Sequence, residues 1–267
     1  MKYKLVAFWL IVFGALFAFL QTSFEYHFYY IEQSQLFLFS KTYVLDKLVL
    51  PGGLSMLVAE FLVQFFILPY VGPVVVAALL TGVGICMAGI VKRIVPSSEL
   101  FILYVLPVLA LLFAHFDFNY RVQGTVCYLM MTAVLYGYMR IRKDLFRLIA
   151  GCVLAPVLFW LAGSVALLFA GMVCLYELLR KTPEWYISLV GMAEVLLLGL
   201  GAVYFSLMGE YRWVFAPDLY YHNTLHPKSI IYYSWICLPL VMLVAFFFRN
   251  KKGLPEKKLI AGFCCVG

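Results

Sequence analysis

Nine apolar runs of 15 to 24 residues fill most of the chain, and they constrain the fold more than any other feature. A helix that crosses a membrane needs about 20 mostly apolar residues. The composition agrees, because 65% of the residues are hydrophobic and 12% are charged, whereas about 25% are charged in an ordinary soluble domain. These features exclude a soluble globular protein, a disordered chain and a secreted disulfide scaffold. We therefore predict an all-α fold, a polytopic transmembrane helix bundle.

The basic residues between the runs predict the orientation. Cytoplasmic loops of membrane proteins carry an excess of Lys and Arg. If the runs from 72 onward cross in alternation, the basic clusters all lie on one side, so we expect the N-terminus to be cytoplasmic in the cytoplasmic (inner) membrane. The formal charge of +7 then reflects these loops and predicts no nucleic-acid partner. The clusters contain Lys2, Lys4, Lys92, Arg93, Arg140, Arg142, Lys143, Arg147, Arg180, Lys181, Arg249, Lys251, Lys252, Lys257 and Lys258.

The run 54–68 determines where the N-terminus lies. If this run also crossed, Lys2 and Lys4 would lie outside. The run carries Glu60 and Gln64 four residues apart, on one face of a helix, and it ends before Pro69. We predict an in-plane interfacial helix in the first outer loop. The alternative is a true span with an outward N-terminus.

The resulting map has eight spans and three outer segments. The tight turn at Gly163 and Ser164 predicts a close helical hairpin. We treat 1–267 as a single integral membrane domain and expect it to be truncated at the start of a ninth span, because the apolar segment 259–267 is too short to cross. The outer segments are 21–71, 115–121 and 209–229. The predicted spans are 5–20, 72–91, 100–114, 122–139, 146–161, 164–179, 185–208 and 230–248.

Titratable and aromatic side chains are concentrated in the outer segments, which favours a site at the outer face. We predict Glu25, Glu32 and Asp117 as catalytic carboxylates, and we expect Glu32 and Asp117 to approach each other. If 115–121 is extended, its polar side chains share one face. The Arg and Lys side chains in these segments could bind a phosphate group through charge-assisted hydrogen bonds. The predicted substrate-binding residues are His115, Asn119, Arg121, Arg212, His222 and Lys228.

Other polar residues suggest no metal or cofactor. His222 and His226 are four residues apart, but Pro227 follows and no H-E-x-x-H pattern is present. The seven cysteines lie in apolar runs without C-x-x-C spacing, so we expect neither a disulfide nor a zinc site. Acids on the inner side, such as Glu177, are expected to be solvated or paired within their own helix. Glu194, in the middle of a span, is expected to hydrogen-bond a facing helix.

Three segments carry a resemblance to known proteins: FYYIEQSQLFLFS (28–40), PGGLSMLVAEFLVQFF (51–66) and HFDFNYRVQG (115–124). They resemble an uncharacterised family of bacterial multi-pass membrane proteins. More loosely, the plan is similar to C-type membrane glycosyltransferases, which have a first span, an outer loop with in-plane helices and an acidic residue, and then many spans. This likeness implies Glu25 or Glu32 as the acid, although residues 21–53 contain no D-x-D or E-x-D pair.

The favoured hypothesis from the sequence is a transferase that uses a lipid-linked sugar donor at the outer face. Its partners would be membrane lipids and a polyprenyl-phosphate-linked donor. Glu25, Glu32 or Asp117 would act as the base, while Arg121, Arg212 and Lys228 would hold phosphate. Two alternatives stay open, a transporter or flippase and a non-catalytic membrane assembly subunit. The sequence predicts no oligomeric state.

Overall fold

The computed structural model describes residues 2–96, 100–221 and 230–250. Within these ranges the protein is all-α, with eleven α-helices and, in place of any strand, one isolated antiparallel bridge between Tyr120 and Tyr221. The helices are α1 (Lys2–Ser34), α2 (Lys41–Leu48), α3 (Gly53–Val63), α4 (Val71–Ile94), α5 (Phe101–Ala114), α6 (Val122–Arg140), α7 (Asp144–Ala162), α8 (Val165–Arg180), α9 (Ser188–Tyr204), α10 (Tyr211–Phe215) and α11 (Ile230–Asn250).

Each predicted span corresponds to a helix, but fewer helices satisfy a stricter test of length and apolar composition. Five are long and apolar enough to cross a membrane: α1, α4, α7, α9 with the turn before it, and α11. The helices α5 and α8 have 14 and 16 residues, and α3 with the 3₁₀ turn that follows it is also a short apolar helix. The set is compatible with an integral membrane protein.

The first helix is longer than the predicted span 5–20. It continues to Ser34, with a single non-helical residue at Phe24 (φ −134°, ψ 20°). At 1.5 Å per residue its 33 residues span about 50 Å, which exceeds the ~30 Å hydrocarbon core of a bilayer. The stretch around Glu25 and Glu32 is therefore the kinked end of a helix. The sequence had indicated a separate outer segment there.

The predicted hairpin at Gly163 and Ser164 is confirmed, since only these two residues separate α7 from α8. Gly163 has φ 78° and ψ −139°, a combination open almost only to glycine. Gly52, also at φ 78°, packs so closely that a Cβ atom on it would lie 3.3 Å from the Cα atom of Gly163. The Gly52 N–H donates to the Trp160 carbonyl at 2.9 Å. The start of α3 is thereby fixed against this hairpin.

Tyr220 joins three segments at the same end of the bundle. Its hydroxyl donates to the Ala162 carbonyl at 2.7 Å and accepts from the Val165 N–H at 3.0 Å. The Arg121 N–H donates to the Tyr220 carbonyl at 2.9 Å. We call this end, formed by 34–71, 115–121, 163–164 and 205–221, the loop-rich end. The opposite end, where α4, α6 and α8 finish, is called the basic end.

An ion pair at the basic end corrects the expectation for Glu177. Arg147 donates from Nε to Glu177 Oε1 at 2.6 Å and from Nη2 to Oε2 at 2.8 Å, and both residues are 0% exposed. Tyr138 and Thr182 donate to the same carboxylate at 2.7 and 2.6 Å. The sequence interpretation, solvation or pairing within one helix, is wrong for Glu177. This acid instead connects α6, α7 and α8.

Glu194 also differs from its expectation. Its side chain is half-buried on α9, and its Oε2 atom is buried without a hydrogen-bond partner among the described residues. The predicted hydrogen bond to a facing helix is therefore not observed. The predicted start of a ninth span at 259–267 lies outside the described residues.

Candidate functional site at the loop-rich end

A cavity of about 230 Å³ opens at the loop-rich end, between the end of α1, helix α3 and the start of α6. It brings together parts of 21–71 and 115–121, two of the three segments that the sequence predicts to be outside. The charged groups on its wall are one carboxylate and two cations. The cavity is lined by Ser34, Gln35, Leu36, Lys47, Met56, Ala59, Glu60, Arg121 and Gln123.

The carboxylate of Glu60 is held from α2. Lys47 Nζ lies 3.2 Å from Glu60 Oε1, and the Tyr43 hydroxyl donates to Oε2. Tyr43 and Lys47 are four residues apart and therefore lie on one face of α2. Burial, followed by the bond to Glu60, raises the pKa of Tyr43 above its ordinary value. Tyr43 therefore stays protonated and donates, and Glu60 is fixed at the cavity wall.

Arg121 supplies the second cation, at the position just before α6. Within the part of the chain that the structure describes, no hydrogen bond or ion pair reaches its guanidinium. Burial lowers the pKa of Arg121, while the nearby Glu60 carboxylate opposes that effect. An arginine remains charged under such conditions and offers a planar fork of donors that matches phosphate or carboxylate. Arg121 is therefore free to bind an anion in the cavity.

Gln123 makes the wall of the cavity rigid. Its Nε2 atom donates to Ser55 Oγ at 3.2 Å and to the Gly52 carbonyl at 3.3 Å. These bonds join the start of α6 to the start of α3. Because Glu60 lies on α3 and Arg121 directly precedes α6, the distance between acid and cation is set by buried backbone and not by flexible loops.

Asp117 is held by its own loop and by Tyr221, and its predicted catalytic role stays a prediction. It is 5% exposed, and its Oδ2 accepts from the Tyr221 hydroxyl at 2.6 Å. Its Oδ1 accepts from the backbone and side-chain nitrogens of Asn119, both at 3.1 Å. Burial and the bond to Asp117 raise the pKa of Tyr221 to about 12. Asp117 thus organises its own loop and joins it to the segment that contains Tyr221.

The loop 115–121 is a series of turns, so the extended strip considered from the sequence is wrong. Its polar side chains do not share a face: His115 and Asp117 are buried, whereas Asn119 and Arg121 are half-buried. The His115 Nε2 atom lies 2.8 Å from Thr125 Oγ1. Burial, with a smaller contribution from His27, lowers the pKa of His115 to about 3. His115 is therefore neutral near pH 7, and its contact with Thr125 joins the loop to α6.

Glu25, Glu32 and Arg212 do not line the cavity. Glu25 is exposed and Glu32 is half-buried on α1, and their side chains make no hydrogen bond or ion pair with described residues. Arg212 is exposed at the start of α10. His222, His226 and Lys228 lie outside the described residues.

Contact between α1 and the loop 115–121 is made by aromatic rings. The Phe118 ring lies 4.5 Å from His27 and 5.6 Å from Tyr30, measured between centroids. A smaller cavity of about 60 Å³ is lined by Tyr30, Phe118 and Arg121 among others. The segments that contain Glu32 and Asp117 do meet. The direct approach of those two carboxylates stays a prediction.

Sequence reasoning missed the roles of Tyr43, Lys47 and Glu60. Glu60 had been interpreted as part of the polar stripe of an in-plane helix. The sequence feature that could have indicated this contact is the pair Tyr43 and Lys47 on one face of a short helix, followed by Glu60 on the next helix. The contact itself joins residues 17 positions apart across a turn, which local periodicity does not specify.

Among the described residues, no group of three or more His, Cys, Asp and Glu side chains is arranged to hold a metal ion. No curated protein and no solved structure matches the chain. A family match covers residues 1–264, nearly the full length, and agrees with the resemblance noted from the sequence. The chain belongs to the Family of unknown function (DUF6057).

Proposed function

We propose that the protein is an integral membrane transferase that uses a lipid-linked sugar donor at the outer face of the cytoplasmic membrane. The observation that carries the proposal is the cavity in which the unpaired Arg121 faces the Lys47–Glu60 pair. Its volume of about 230 Å³ is below the roughly 300–1,000 Å³ of pockets for drug-sized ligands. It suits a phosphate and the atoms next to it, with the lipid chain outside.

In this proposal the two cations hold the phosphate of the donor. Arg121 binds it with two parallel N–H donors, and Lys47 adds a point charge. A phosphate in this position competes with Glu60 for Lys47. The exchange frees Glu60 Oε1, which otherwise lies 3.2 Å from the ammonium group.

Glu60 then acts as the general base toward an acceptor hydroxyl. The acceptor oxygen forms a bond to the anomeric carbon of the sugar and loses its proton to Glu60. The bond between that carbon and the donor phosphate breaks, and the phosphate leaves with the electron pair. Arg121 stabilises the charge on the departing phosphate. Tyr43 keeps the carboxylate in position throughout.

The other carboxylates and cations predicted from the sequence have roles outside the reacting centre in this proposal. Glu25 and Glu32 are alternative bases that stand outside the cavity, and Asp117 positions the loop that ends at Arg121. Arg212, His222 and Lys228, from the third segment that the sequence predicts to be outside, stay predicted substrate-binding residues. Asn119 and His115 support the loop beneath Arg121.

A non-catalytic membrane subunit is the second candidate, and one observation favours it. Both oxygens of Glu60 already have partners, Lys47 and Tyr43. A carboxylate satisfied in this way is typical of a structural ion pair. The two candidates differ in whether the protein turns over a donor, and in the second candidate Glu60 contributes only to stability.

The test is consumption of synthetic polyprenyl-phosphate sugars by the purified full-length protein. We expect release of polyprenyl phosphate from at least one donor of a panel, and a fall of about 100-fold or more in Glu60→Gln and Arg121→Gln. Asp46→Asn is the matched control, because Asp46 is exposed on α2 beside Lys47. A folded wild-type protein that consumes no donor of the panel would support the non-catalytic candidate, and full activity in Glu60→Gln would show that Glu60 is not the base.

A further inference from the structure

We infer that an open groove between α1, α4 and α6 binds an anionic phospholipid, with its phosphate at the basic end and one acyl chain along the groove. This groove lies away from the cavity of Glu60 and Arg121. The inference does not depend on the proposed transferase activity. It rests on the shape of the groove and on the charges at one end of it.

The groove has a volume of about 910 Å³ and mostly apolar walls. Its floor is one face of α4, where Ala78, Gly82, Ile85 and Gly89 follow at helical spacing. From Ala78 to Lys92 the axial rise is about 21 Å. One leaflet contributes about 15 Å of hydrocarbon to a bilayer core of ~30 Å. The groove therefore has the length of one lipid leaflet, including the start of the headgroup.

Leu129 and Tyr136 of α6 fill the space beside Gly82 and Gly89, and the room for an acyl chain is the open groove between this floor and α1. The opposite wall consists of α1 side chains, among them Val6, Leu10 and Phe13. The aromatic ring of Tyr136 closes the floor near the basic end, so closely that a Cβ atom on Gly89 would lie 2.7 Å from it. Hydrocarbon chains require no hydrogen bonds from such walls.

Three cations stand at the basic end of the groove. Lys92 and Arg93 lie in the last turn of α4, and Arg140 is the last residue of α6. None of the three has an ion pair with an acid in the described ranges. Arg93 donates to the carbonyls of Met139 and Arg140 at 3.1 and 3.4 Å, which holds the ends of the two helices together.

The apolar walls and the three cations together indicate which lipid binds in the groove. A groove that is apolar along its length and positively charged at one end is complementary to an amphiphile with one anionic end. A sterol or a neutral lipid fits the walls but leaves the three cations unpaired. Orientation in the membrane accounts for basic loops, but it does not account for a groove that leads to them.

The experiment measures retention of defined lipids by the full-length protein in detergent, by native mass spectrometry. The probes are phosphatidylglycerol and phosphatidylcholine with identical acyl chains. We expect phosphatidylglycerol to be retained preferentially. Each cation near a membrane surface changes lipid affinity by about fivefold, so the double variant Lys92→Gln, Arg140→Gln should weaken phosphatidylglycerol binding about thirtyfold.

Matched controls separate the groove from the general basic surface. Arg142 is exposed at the same end but does not line the groove, so Arg142→Gln should leave binding within about twofold of wild type. Ala78→Phe places a ring inside the groove and should reduce phosphatidylglycerol binding. Val153→Phe, on the exposed face of α7, should have no effect.

Three results would overturn the inference. They are equal retention of the two phospholipids, an Arg142→Gln effect as large as that of the double variant, and unchanged binding in a folded Ala78→Phe protein. A polyprenyl phosphate serves as a third probe, and its preferential retention over phosphatidylglycerol would be a fourth result that overturns the inference. If Ala78→Phe does not fold, the charge variants still decide the outcome.

Discussion

Arg147 and Glu177, 30 residues apart in the chain, form an ion pair with two hydrogen bonds and no exposed surface on either residue. Its two members lie on α7 and α8, and Tyr138 adds α6 to the same network. A buried pair of this kind is more costly to break than to replace, because a lone charge in the interior has no compensation. The pair therefore joins α7 to α8 through a buried contact, and Tyr138 joins α6 to it.

We predict that Glu177→Gln or Arg147→Met lowers the free energy of unfolding by about 3–5 kcal/mol. The measurement is thermal or denaturant unfolding of the purified protein in detergent. The double variant Arg147→Met, Glu177→Leu should recover a large part of the loss, since both charges are then absent. Asp46→Asn is the control, because Asp46 is exposed on α2 and has no ion pair with a described residue. A single-variant loss below about 1 kcal/mol would show that the pair is solvated.

The second prediction concerns the turn between α7 and α8. Gly163→Ala should destabilise the protein by about 1–3 kcal/mol, because alanine does not readily adopt φ 78° with ψ −139°. Gly171→Ala on α8 is the matched control. A Cβ atom there meets nothing within 4 Å, and alanine in a helix is more stable than glycine by roughly 0.5–1 kcal/mol. Equal effects of the two variants would contradict a strained turn at Gly163.

The helices were largely predictable from the sequence. The predicted span 72–91 corresponds to Val71–Ile94, and 122–139 corresponds to Val122–Arg140. Apolar periodicity is a local property, and so is the Gly163–Ser164 turn. The continuation of α1 to Ser34 was not predicted, because the polar residues between Gln21 and Ser34 look like a loop when only hydropathy is considered.

The contacts within the candidate site were less predictable. Arg121 was predicted as a substrate-binding residue, but the sequence did not indicate that Glu60 lines the same cavity. Asp117 receives its hydroxyl donor from Tyr221, 104 residues away. Such pairs depend on how helices pack, and a single sequence contains no direct record of packing.

The third prediction is a pH dependence that arises from His115. Burial holds the pKa of His115 near 3 in the folded protein, compared with an ordinary value of 6.5. Above pH 6.5 both the folded and unfolded states have a neutral imidazole, and the stability is complete. As the pH falls from 6.5 toward 3, only the unfolded state gains the proton, so stability is lost. At pH 5 the loss should be about 2 kcal/mol.

The measurement compares unfolding at pH 7.5 and pH 5 in the wild type and in His115→Gln. Glutamine retains an amide that can reach Thr125 but takes up no proton. We expect the variant to lose less stability than the wild type on acidification, by about 2 kcal/mol. The same pH slope in both proteins would show that His115 is accessible to protons in the folded state.

The fourth prediction tests the support of Glu60 from α2. Tyr43→Phe removes one donor and leaves the Lys47 ion pair, so we expect a stability loss of about 1–2 kcal/mol and a partial loss of donor turnover. Tyr3→Phe, at a position 90% exposed on α1, is the matched control. Full turnover in Tyr43→Phe would show that the orientation of Glu60 does not depend on this hydroxyl.

The central claim is that the cavity between Glu60 and Arg121 binds the phosphate of a lipid-linked donor. A cryo-EM map of the full-length protein, purified with its native lipids, tests this claim most directly. We expect phosphate density within hydrogen-bond distance of the Arg121 guanidinium and Lys47 Nζ. We also expect density for a lipid chain that leaves the cavity toward the bilayer. An empty cavity in a map that shows the donor phosphate bound at another site would contradict it.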